Sequence, residues 1–86
     1  MTKKTIAFRD LYLSAFLKAS GFPLHDSILD DRGRTVFHFL ETPHLTESLR
    51  EFYSGNALVN PSTFIESFKA LRSLAYSLSE RSHANE

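Results

Sequence analysis

Apolar residues recur at helical spacing from the start of the chain. Phe8, Leu11, Tyr12, Ala15, Phe16 and Ala19 fall three and four positions apart, and Leu13 and Leu17 widen the stripe. Gly21 can take the left-handed conformation that ends a helix, with Phe22 behind it for the usual apolar contact. This spacing predicts a helix over residues 8–20. Two extended runs then flank Asp30-Asp31-Arg32-Gly33-Arg34. Gly33 suits the positive-φ position closing a three-residue hairpin loop. That register sets Ile28 opposite Val36, Asp26 opposite His38 and Leu24 opposite Leu40, with Phe37 and Phe39 sharing the other face. A two-residue turn at Arg32-Gly33 would shift the pairing by one and is the alternative. Val36 to Leu40 is apolar at nearly every position, which predicts a strand covered on both sides.

The second half repeats this punctuation. Thr42 is a capping residue, Pro43 fits a first helical position, and Gly55 ends the segment, with Leu45, Leu49, Phe52 and Tyr53 as its apolar stripe. Ala57-Leu58-Val59 is long enough for a minimal third strand. Asn60 and Pro61 begin another helix, in which Phe64, Phe68, Leu71, Ala75 and Leu78 make one continuous stripe, broadened by Ile65 and Leu74. Residues 1–5 and the tail 80–86 carry no apolar periodicity and are expected to be loose, leaving an ordered core over residues 6–79. The prediction is a single small α+β domain spanning 1–86, in the order α-β-β-α-(short β)-α, with an antiparallel hairpin packed against three helices.

Two stretches, "DLYLSAFLKASGF" (Asp10 to Phe22) and "FYSGNALVNPSTF" (Phe52 to Phe64), with "RTVFHF" between them, carry a resemblance. The chain resembles, over residues 6–78, a family of short prokaryotic and phage proteins classed as a domain of unknown function. Members of that family look like a helix ending in Gly, an apolar strand pair, and a tyrosine-glycine segment leading to valine, Asn or Asp, and proline. They commonly place a small hydroxyl residue before the first helix. Here Phe8 and Arg9 precede Asp10, which argues against a clean side-chain cap. The resemblance implies element boundaries and a prokaryotic setting. It implies no activity, cofactor or catalytic residue.

Composition narrows the function classes. The 86 residues make one domain, and 42% hydrophobic with 13% aromatic residues is enough for a core. Ten basic and ten acidic residues leave no formal net charge, which argues against a specialist in polyanions. The chain has no Cys, hence no disulfide and no thiolate chemistry, and a cytoplasmic setting is expected. No apolar run reaches the length of a membrane span. The basic start is followed by Arg9-Asp10, which interrupts the apolar run a leader would need.

Candidate chemistry is sparse. Asp26 and His38, as cross-strand neighbours, could serve as a base and its orienter, but the sequence offers no nucleophile in a recognisable setting. His25, His38, His44 and His83 match no metal-binding spacing, "DDRGR" lacks the ligands of a calcium loop, and there is no Gly-rich phosphate loop. No catalysis, cofactor or metal is expected. Two binding surfaces remain. The long helical stripe runs roughly 22 Å, and either the first helix covers all of it or it exceeds what one small sheet covers, the second alternative leaving a surface for a partner. Its C-terminal part, Leu74, Tyr76 and Leu78, with Tyr53 near the linker, is therefore a candidate surface for a protein partner or a second copy. The alternative is a nucleic-acid-binding accessory protein of a phage or mobile element. It would use Lys3, Lys4, Arg32, Arg34, Lys69 and Arg72, provided that these clusters converge in space.

Overall fold

The computed structural model describes residues 4–84. Its elements, in chain order, are β1 (Thr5–Phe8), α1 (Leu11–Ala19), β2 (Leu24–Leu29), β3 (Thr35–Leu40), α2 (Pro43–Ser54) and α3 (Pro61–Ala84). The expected α+β class holds, with an antiparallel sheet and three helices. Within the described residues, none of the helices is long and apolar enough to cross a membrane.

The first helix begins later than its apolar spacing predicts. The Asp10 carboxylate accepts hydrogen bonds from the backbone N–H groups of Tyr12 and Leu13, at 2.9 and 3.1 Å. The missing hydroxyl cap is thus supplied by Asp10 itself, and the cap stops helical winding from spreading upstream. Residues Thr5–Phe8 are freed to extend, and their short in–out alternation places Ile6 and Phe8 toward the core. At the other end Gly21, at φ 99°, and Phe22 close the helix: Gly21 N–H donates to Lys18 C=O and Phe22 N–H to Leu17 C=O.

The sheet has the order β1-β3-β2, both pairs antiparallel. The hairpin register matches the three-residue loop: Ile28 pairs with Val36 and Asp26 with His38. Leu24 sits opposite Phe39 rather than Leu40, because an irregularity between Leu24 and Asp26 shifts the pairing by one. The expected third strand at Leu58-Val59 does not form. β1 takes the edge of β3 that the hairpin leaves free, and residues 57–59 pair with neither β1 nor β2. Ala57 and Val59 instead pack on the core as irregular chain, and Leu58 points to solvent.

The core forms on one face of the sheet. Phe37 and Phe39 enter it with Leu13, Phe16 and Leu17 of α1, Leu45 of α2 and Leu71 of α3. The opposite face carries Ala7, Ile28, Val36, His38 and Leu40. No helix covers it, contrary to the expectation of a strand buried on both sides. Val36 is nevertheless 7% exposed. Arg9 follows β1 and Asp30 follows β2, on opposite sides of β3, and their side chains meet at 3.0 Å. The contact therefore spans the outer face at the level of Val36. α3 is capped by Asn60, whose Oδ1 accepts from Ser62 N–H and Thr63 N–H. It runs on to Ala84, through residues where the sequence predicts fraying.

Two substitutions check this account. Asp10→Ala is expected to lower the unfolding free energy by about 1 kcal/mol in urea denaturation, and Asp10→Asn to keep most of it. Ser14 is fully buried with no hydrogen-bond partner for its Oγ among the described residues. Ser14→Ala is therefore expected to be neutral or to stabilise by about 1 kcal/mol, since it removes an unsatisfied hydroxyl and little volume.

Candidate functional site: the outer face of α3 and the hairpin tip

α3 turns Leu71 fully inward, and that leaves a second row on its outward flank. Ile65, Lys69, Arg72 and Tyr76 are spaced four, three and four apart, so they share one side of the helix. Ile65 is 50% exposed and Tyr76 is 66% exposed. Tyr12, reaching from α1, joins them: its ring stacks on Phe68 with centroids 5.3 Å apart and planes 21° apart, yet it remains 63% exposed. Apolar groups are thus held out in water by residues that the core does use.

Two depressions share the pair Lys69 and Arg72. One, of about 280 Å³, is walled by Tyr12, Phe64, Ile65 and Phe68. The other, of about 770 Å³, lies between α3 and the tip of the hairpin, against Gly33, Thr35, Ser73 and Tyr76. Neither has a carboxylate in its wall. Neither Lys69 nor Arg72 forms a salt bridge among the described residues. From Phe68, under the Tyr12 ring, to Tyr76 is about 12 Å along the helix axis. The order along that line is ring, cation, cation, ring.

The hairpin tip that forms the far wall is built around Asp30. One carboxylate oxygen accepts from the backbone N–H groups of Arg32 and Arg34, both at 2.9 Å, and the other accepts from Arg9 Nε at 3.0 Å. The Arg34 backbone N–H, then the Arg9 side chain, hold the Asp30 carboxyl below its ordinary value of 3.8. With Gly33 at φ 79° closing the loop, the turn is fixed, and the Arg32 and Arg34 side chains stand at its exposed end.

The residues singled out from the sequence divide under this geometry. Lys69 and Arg72 line both depressions; Arg32 and Arg34 line neither, and stand instead with Arg9, Asp30 and Asp31 around a separate polar hollow. Lys4 joins neither group: its carbonyl accepts from Glu41 N–H at the opposite end of the sheet. Lys3 lies outside the described residues. Of the apolar set, Tyr76 lines the larger depression, Leu78 is partly buried, and Leu74 packs against the core. Tyr53 is 71% exposed, which corrects its place in a buried stripe; it stands edge-on to Phe52 at the end of α2 and lines neither depression. Tyr12 and Ile65 were read as core residues. The signal that separates them is their position at the edge of the stripe: Ile65 starts the outward row that continues through Lys69, Arg72 and Tyr76.

Asp26 and His38 face each other across the strands as the register requires. The Asp26 carboxylate accepts from Ser27 N–H at 2.8 Å, while His38 Nε2 is buried with no partner among the described residues. The geometry does not join them in a hydrogen-bonded pair. No group of three or more His, Cys, Asp and Glu able to hold a metal occurs among the described residues.

Residues 3–77 match the family model described as a domain of unknown function, DUF5659. No curated protein and no solved structure matches the chain.

The charge on Asp30 has a measurable consequence. Its folded-state value is depressed, so its contribution to stability is present above the ordinary carboxylate range and is lost as pH falls through the lowered value. Asp30→Asn is expected to melt at a lower temperature than wild type at neutral pH. The difference should shrink on acidification, when the wild-type carboxyl is also neutral. A difference that stays constant in acid would assign the effect to shape rather than charge.

Proposed function

The chain belongs to the DUF5659 family, and we propose that it is a non-enzymatic protein-interaction module of the cytoplasm, whose docking surface is the outward flank of α3 with the tip of the β2–β3 hairpin. The observation that carries this reading is the exposure of Tyr12, Ile65 and Tyr76 along one line beside two preformed depressions. Aromatic side chains that stand in water at a concave surface suit a protein interface, where ring area is gained at little conformational cost. The absence of cysteine supports the cytoplasmic setting.

Self-association is the form of this reading in which the partner is a second copy. The nucleic-acid reading draws support from Lys69 and Arg72, which line both depressions. Against it stands the length of the positive strip. Glu66 and Glu80 lie beyond its two ends on α3, Asp31 lies at the hairpin tip, and a phosphate backbone would need cations that continue along its path.

A photo-crosslinking amino acid placed at position 76, and separately at the exposed Lys18 on α1 as a control, tests the reading in the cells that make the protein. The expected result is a discrete protein adduct from position 76 and none from position 18. An adduct of twice the monomer mass would identify self-association. A nuclease-sensitive adduct from position 76, or equal labelling at both positions, would contradict the proposal.

A further inference from the structure

Resting on the interaction surface just described, we infer that its partner is an acidic peptide segment that also carries an apolar anchor residue. The anchor would sit in the smaller depression and the carboxylates would lie against Lys69 and Arg72.

Charge complementarity and shape carry this. The depression walled by Tyr12, Phe64, Ile65 and Phe68 is apolar, of about 280 Å³, and open to solvent through the exposed Tyr12 and Ile65. It is the size of one large aliphatic or aromatic side chain rather than of a folded element. Lys69 and Arg72 form its rim on the side toward the larger groove. A peptide whose anchor fills the first depression must cross these two cations to enter the second. Both are free of carboxylate partners among the described residues, so an incoming carboxylate displaces only water. Arg can receive it through two parallel N–H donors. Beyond the cations, the groove continues between Tyr76 and the tip residues Gly33 and Thr35, with Ser73 on its wall. The positive charge of the groove is therefore concentrated at Lys69 and Arg72, since the tip arginines Arg32 and Arg34 stand with Asp30 and Asp31 outside it. A segment with an anchor followed by two or more carboxylates matches that order. A basic segment would meet Lys69 and Arg72 with no carboxylate in the walls to offset them, and a neutral one would leave both to be desolvated without return.

The tip must hold still for the groove to keep its shape. The Asp30 carboxylate, which gathers the backbone of Arg32 and Arg34 and the side chain of Arg9, provides this. Asp30 is a positioning residue for the site: it lines neither depression but fixes the loop that does.

The test is fluorescence polarisation with the full chain and four labelled probes. These are a short peptide with one leucine followed by glutamates, the same peptide with glutamines for glutamates, the same with alanine for leucine, and a short oligothymidine. The first probe is expected to bind saturably and more weakly as salt rises. The glutamine and alanine versions should each bind about tenfold more weakly or worse. Arg72→Glu should weaken the first probe by a similar factor while melting at the wild-type temperature. Equal binding of the glutamate and glutamine peptides would overturn the acidic assignment and leave the interaction surface standing. Failure of the first probe to bind at all would overturn it too, and the crosslinking result would then decide the broader reading separately. Oligothymidine binding more tightly than every peptide would overturn both.

Discussion

Phe37 and Phe39 project from the same face of the central strand, and keeping water off that face is the constraint to which the rest of the structure answers. Both are almost wholly buried. Each contributes about 3 kcal/mol by leaving water, a large share of the roughly 5–10 kcal/mol by which a domain of this size is stable. β1 and β2 flank the central strand and add Ile6, Phe8 and Leu24 to the same layer. The three helices close over it with Leu13, Phe16, Leu17, Leu45 and Leu71. On the opposite face the Arg9–Asp30 contact spans β3.

Much of this was legible because the punctuation is chemical. Thr42-Pro43 and Asn60-Pro61 can each start a helix and do little else well, and Gly21, Gly33 and Gly55 each adopt the positive φ that their positions require. The hairpin register followed from a three-residue loop. What misled was competition between periods. Phe8 lies three residues before Leu11 and so fits the helical stripe, but it also lies two after Ile6 and fits a strand. The Asp10 cap decides between them, because its carboxylate satisfies the first free N–H groups of α1 and ends the helix there. Ala57-Leu58-Val59 alternates like a strand, but a strand also needs a partner beside it, and β1 taking the free edge of β3 is a tertiary fact that a local pattern does not contain.

The candidate site was half legible for a related reason. Lys69, Arg72 and Tyr76 stood out by residue type, and their meeting with Gly33 and Thr35 depends on α3 passing the hairpin tip, which sequence spacing does not express. Tyr12 and Ile65 were hidden inside stripes that are themselves correct. A helix stripe has a flank, and a residue on the flank turns outward when the surface it packs against is narrow. Here α3 packs chiefly on the much shorter α1, so it buries Leu71 and leaves the row from Ile65 to Tyr76 in solvent.

Fold and proposed function therefore use different sides of the same helix, and that separation is the claim on which the account turns. The most direct measurement of it is the urea-unfolding free energy of a variant carrying Lys69→Ala, Arg72→Ala and Tyr76→Ala together. The account predicts a stability within about 1 kcal/mol of wild type, since exposed substitutions away from caps and core change little. A loss of about 3 kcal/mol or more would place these side chains among the supports of the fold and contradict their assignment to a binding surface.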